Sequence, residues 1–107
     1  MGFFSRRREQ AAATELEQKL NGRAIRYAAR RTIDENGSPV EVILGKNGAI
    51  NVKNGEIVVM CNAKEVFRCA QETAECSELM SLNGAVIQGI NAVTGEPDTV
   101  VAYYTKF

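Results

Sequence analysis

The chain has 107 residues, of which 45% are apolar and 24% charged, and its formal net charge is zero. This length leaves room for one hydrophobic core and no second domain, and the apolar share excludes an intrinsically disordered chain. The longest apolar run, Ile57 to Cys61, falls far short of the roughly 20 residues that a membrane-spanning helix requires, so no membrane span is expected.

Residues 1–7 read as a basic tail. A secretory signal would put its charges before an apolar run; here Phe3-Phe4 precede Arg6-Arg7-Arg8 and nothing apolar enough follows. Met1-Gly2 would suit myristoylation only with Ser or Thr at position 6, where Arg6 stands. A cytoplasmic location is therefore expected. From about Arg8 to Leu20 the chain predicts a helix, through Ala11-Ala12-Ala13 and through Leu16 and Leu20 on one face. Asn21-Gly22 then supplies a left-handed stop.

From Arg23 onward the pattern is β, with 8–107 read as a single domain. Alternation puts Ile25, Tyr27, Ala29 and Ile33 on one face and Arg26, Arg30 and Thr32 on the other; an amphipathic helix also fits Arg23 to Thr32. The turn Asp34 to Pro39 and the strand Val40 to Leu44 favour a hairpin. Gly45-Lys46-Asn47-Gly48 reads as the next turn, followed by a strand Ala49 to Lys53. Asn54-Gly55, flanked by Ile50/Val52 and Ile57/Val59, is the clearest hairpin signal. Ile57 to Cys61, apolar on both faces, belongs in the interior of a sheet. Asn62 to Lys64 turns into Glu65 to Cys69. Gln71 to Asn83 stays open between a short helix marked by Glu72, Glu75 and Glu78 and a strand over Ser77 to Leu82. Ala85 to Asn91 and Thr99 to Thr105 are two more strands, with Gly84 and Gly89 marking a turn and a bulge or close backbone approach. The expected fold is mainly β, a small antiparallel barrel or roll of six to eight short strands with one N-terminal helix.

No residue set points to catalysis. The chain has no His, which removes the commonest general base and the triads built on it. Cys61, Cys69 and Cys76 form no C-x-x-C pair, and no His completes a zinc site. Cys61 and Cys69 read as small buried residues on strands, and Cys76, between Glu75 and Glu78, is a poor nucleophile because negative neighbours raise a thiol pKa. The 45–48 glycines lack the Gly-Lys-Ser/Thr ending of a phosphate loop. No enzyme activity, metal or cofactor is expected.

Two groups of residues stand out for binding. Residues 1–33 carry eight basic and three acidic side chains, hence +5, and 34–107 carry five and ten, hence −5. The basic part suits an anionic partner, or else the two parts meet, within a monomer or across a dimer. Arg23, Arg26, Arg30 and Arg31 with Tyr27 have the composition of a weak nucleic-acid patch, cations for phosphates and an aromatic ring for a base. As a strand, this segment puts Arg26 and Arg30 on one face and Arg23 and Arg31 on the other. Tyr103, Tyr104 and Phe107 gather aromatic mass near the C-terminus; Tyr103 and Phe107 share a face with Val101, Tyr104 with Val100 and Ala102. Either both faces are core, or one is core and the other is covered by the N-terminal helix or offered for self-association.

Lys64-Glu-Val-Phe-Arg68, Glu78-Leu-Met-Ser-Leu-Asn-Gly-Ala-Val-Ile-Gln-Gly89 and Thr99-Val-Val-Ala-Tyr-Tyr104 together resemble a group of short uncharacterised proteins of clostridia-like bacteria. That resemblance implies no activity, because the group has no assigned function. More loosely, the strand-hairpin-strand run resembles bacterial pleckstrin-homology-like domains, although no C-terminal helix follows. It also resembles small Sm-like barrels, although no RNA-contact motif is present. The reading that results is a non-catalytic binding or assembly module, a homo-oligomer whose ligand the residues do not name. The alternative is a nucleic-acid-binding protein using its basic first third.

Overall fold

The computed structural model describes residues 15–105. The expected basic tail, the first part of the predicted helix and Phe107 lie outside these residues. The helix α1 runs Glu15–Leu20. Leu20 is buried and Leu16 packs against the core beside it, so the i, i+4 pair does face inward. The helix stops where the chain predicts: Gly22 takes φ 82°, open to glycine without steric cost, and its N–H donates to the Ile50 carbonyl at 2.7 Å.

Seven antiparallel strands follow, β1 (Arg23–Ile33), β2 (Pro39–Lys53), β3 (Glu56–Cys61), β4 (Lys64–Ala70), β5 (Glu75–Glu78), β6 (Gly84–Ile90) and β7 (Pro97–Tyr104). They form one sheet in the order β4-β3-β2-β1-β7-β6-β5. The sheet curls into a roll but does not close into a barrel. Its two ends approach at the isolated bridge from Cys69 to Asn91, supported by the Ala92 N–H donating to the Arg68 carbonyl at 2.8 Å. The inner face carries the core, led by Ile25, Ile50, Ile57, Val59, Phe67, Ile87 and Val100.

Several sequence expectations meet this sheet directly. Asn54 and Gly55 both have positive φ (54° and 77°), the two-residue hairpin turn that joins Lys53 to its cross-strand partner Glu56. Asp34 caps the β1–β2 turn, its Oδ1 accepting from the Asn36 and Ser38 N–H groups, each at 2.9 Å. β1 is a strand, not a helix. In the open segment, a 3-10 turn at Gln71–Thr73 precedes the short strand β5, which ends at Glu78 instead of starting at Ser77.

Two expectations are corrected. Gly45 to Gly48 is not a turn, because β2 passes straight through it. Instead it is where β2 gains its second neighbour: β3 pairs with β2 only from Gly48 onward. A Cβ at Gly48 would fall on the Met60 carbonyl oxygen, so glycine permits a close strand crossing there. The second correction concerns the faces of β1. Ile25 pairs with Tyr104 and Tyr27 with Tyr103, leaving Arg26 as an extra residue against β7. Such a bulge flips the side-chain alternation. Ile25 therefore faces the core, while Tyr27 and Ala29 lie on the outer face.

Candidate interaction surface

The bulge rearranges the basic residues as well. Arg30, in register with Val100, lies on the inner side. Its Nε donates to both Asp98 oxygens, each at 3.0 Å. Asp98 is held in turn by the Asn91 amide, whose Nδ2 donates to Oδ2 at 3.0 Å. Asn91 is buried, and its Oδ1 accepts the Val93 N–H at 2.8 Å, so one amide fixes both the 91–96 turn and the carboxylate. Arg31, on the outer face, pairs with Glu41 at 3.1 Å. Arg23 stacks its guanidinium 4.0 Å over the Tyr104 ring. The Arg26 Nε donates to the Tyr104 carbonyl at 3.1 Å. The expected pairing of faces, Arg26 with Arg30 and Arg23 with Arg31, is thus not what the sheet builds. Arg23 and Arg30 sit toward the inner side at opposite ends of β1, Arg31 is on the outer face and Arg26 is at the bulge.

Tyr27 stacks on Tyr103 with ring centroids 4.6 Å apart. The Tyr103 hydroxyl donates to Glu41 at 2.8 Å. Burial, and then the hydrogen bond and charge of Glu41, push this phenol up from its ordinary 10.0 to about 12. Tyr103 thereby ties β7 to β2 across β1. Tyr104 is buried in the core, leaving Tyr103 as the described aromatic of the C-terminal strand with an outer-face position. The arginines and aromatics singled out in the sequence are brought together on and around β1, but each described one has an intramolecular partner.

All three cysteines are free; Cys61 and Cys69 are buried and Cys76 is partly so. Burial raises each thiol pKa. Cys69 reaches about 11 and Cys76 about 12, both further raised by the charge of Glu17. The acid beside Cys76 that matters comes from α1, not from its sequence neighbours Glu75 and Glu78.

The surface that the sequence does not announce is an arm. β7 accompanies β1 only as far as Arg30, and β3 accompanies β2 only from Gly48. Beyond them, 31–33 of β1 and 39–41 of β2 form a two-stranded ribbon, and from Val42 to Lys46 β2 continues as a bare edge beside β1. Among the described residues four of the arm's apolar side chains stand exposed, Ile33 at 66%, Ile43 at 55%, Val42 at 52% and also Val40. They lie on both faces, Val40 and Val42 in register with Thr32 and Arg30, Ile43 with Ala29. The other exposed apolar side chains are Ile90, at the end of β6, and Met80, Leu82 and Val93, in turns; single exposed residues of this kind are ordinary. A signal existed in Val40-Glu41-Val42-Ile43-Leu44, which does not alternate cleanly, but nothing in the spacing showed that β3 would begin only at Gly48.

A cleft of about 550 Å³ lies at the same end of the sheet, lined among others by Arg30, Arg31, Glu75, Gln88 and Asp98. Its charged side chains carry both signs, and Arg30 is already committed to Asp98. Among the described residues no helix is long and apolar enough to cross a membrane. No family model matches the chain, and no curated protein and no solved structure matches it either.

Proposed function

We propose that the chain is a non-catalytic binding and assembly module that self-associates. The observation that carries this reading is the arm, with Ile33, Val42 and Ile43 each more than half exposed, where β2 has no described outer neighbour and β1 has none beyond Arg30. An apolar strand edge left open is a template for pairing with another chain. Within the arm Leu44 packs against the core, which does not account for the exposed Ile33, Val42 and Ile43. The charge asymmetry is balanced in part within one chain, by Arg30–Asp98 and Arg31–Glu41, so a foreign anion is not needed to balance those arginines. For the same reason the nucleic-acid alternative draws no support from the site: Arg23, Arg26, Arg30 and Arg31 are turned to ring, carbonyl and carboxylate partners of their own fold.

The test is the mass of the particle in solution. Light scattering on the eluting peak at micromolar concentration is expected to give a dimer or a larger species that raised salt weakens only partly, because apolar contact remains. A monomer that persists at high concentration overturns the proposal.

A further inference from the structure

We infer that the self-association rests on β2, and that two copies join edge to edge, antiparallel, about a two-fold axis close to Ile43. This deepens the reading given above and depends on it.

The open edge runs from Pro39 to Lys46. Proline lacks an N–H and so ends a ladder, and a lysine on an edge discourages further pairing. The stretch between them, Val40 to Leu44, holds one charge, Glu41. The edge is therefore short and bounded, which fits one added strand and closure, not an endless ladder.

The occupant is argued from charge. Leu44 is an extra residue opposite β1, since Ala28 pairs with Gly45 and Ala29 with Ile43. With that bulge, the outer face of the edge reads Glu41, Ile43, Lys46: Glu41 is in register with Arg31, Ile43 with Ala29 and Lys46 with Tyr27. All three are exposed. An acid, an apolar residue and a base in that order are complementary to themselves when one copy is reversed. The antiparallel dimer sets Ile43 against Ile43, with Glu41 of each copy beside Lys46 of the other. A parallel arrangement would set like on like. On the inner face, Val42 of each copy lies across from Leu44 of the other, which packs toward the core, so apolar surface is covered on both sides of the edge. The two rolls then share one continuous sheet through β2.

Ile43 lies next to its own symmetry mate, so Ile43→Cys is expected to give a disulfide-linked dimer under mild oxidation. Ile33→Cys, equally exposed on the same arm but on β1, should not. The native thiols are buried or partly buried and serve as background. In addition, Lys46→Glu should weaken the dimer about tenfold, and adding Glu41→Lys should recover most of that loss. A dimer in which the Ile43→Cys variant fails to link, or links no better than the Ile33→Cys variant, overturns this interface while self-association stands. Failure of the second charge reversal to recover affinity, with both variants folded by circular dichroism, overturns the antiparallel register. A wild-type monomer overturns both readings and leaves the edge to a strand from a different protein.

Discussion

The Nε of Arg30 lies 3.0 Å from both carboxylate oxygens of Asp98, and Asp98 is the least exposed member of any described ion pair, at 13%. The pair spans β1 and β7, the strands through which the first four strands of the sheet are paired to the last three. Because Arg30 is still 36% exposed, solvent screens it, and Asp98→Asn is expected to cost only about 1 kcal/mol. Asn91→Ala should cost more, about 2 kcal/mol, because the amide is buried and its loss leaves the Val93 N–H without its acceptor and takes one donor from Asp98. Thermal unfolding of the two variants checks the order.

Glycine substitutions should separate crowding from backbone strain. Gly48→Ala drives a methyl into the Met60 carbonyl and is expected to remove several kcal/mol, enough to unfold much of the population. Gly37→Ala meets nothing within 4 Å but holds φ at 80°, so about 1 kcal/mol is expected. Urea midpoints report both.

The thiols give stability an alkaline limit. A proton held more tightly by the folded chain contributes fully below the unfolded pKa and is lost as pH rises toward the folded one. For Cys69 that window runs from 9.0 to about 11. Stability should be flat below about pH 8.5 and then fall by up to roughly 1.4 kcal/mol per pH unit for each titrating thiol. Cys69→Ser should flatten the slope, measured as the urea midpoint against pH. In the same experiment, alkylation of native protein near neutrality should be slow at Cys61 and Cys69.

Residues of the arm should be cheap to change when the chain is dilute. Val42→Thr and Ile43→Thr are expected to move stability by less than about 0.5 kcal/mol, against about 2–5 kcal/mol for Ile57→Ala or Ile87→Ala. Equal costs would mean that the arm is packed in solution.

Binding to single-stranded oligonucleotides should be weak and should disappear between low and physiological salt, as a few phosphate contacts would dictate. Fluorescence anisotropy checks it. Tight, sequence-selective binding at physiological salt would favour the nucleic-acid alternative.

Much of the fold was legible because turns announce themselves. Asn54-Gly55, Asn21-Gly22 and the Asp34 turn each combine a residue type with a backbone requirement that few others meet. Strand faces were harder to read. Arg26 looks like any alternating residue, and only its register against β7 shows that it is the extra one. Gly45 to Gly48 failed for a related reason: glycine marks both turns and close crossings, and the crossing depends on Met60 and Cys61, which follow in the chain. The arginines were identified as a group, but their acid partners carry no local mark: Asp98, which Asn91 positions, lies 68 residues from Arg30, and Glu41 sits on the next strand from Arg31.

The strand order has a consequence for how the chain is made. β1 to β4 form one meander of neighbours and β5 to β7 another, and the two are joined in the sheet by β1 against β7. During synthesis the first meander can assemble as it leaves the ribosome, with one side of β1 bare until Val100 to Tyr104 have emerged. Through that interval the nascent chain exposes the side of β1 reserved for β7, the outer side of β4 that Asn91 and Ala92 later meet, and the 39–46 edge of β2, for which no described strand is reserved. Neighbouring ribosomes on one message would hold such intermediates close together. Pairing through the wrong edge is then a hazard that the speed of translation past Tyr104 controls.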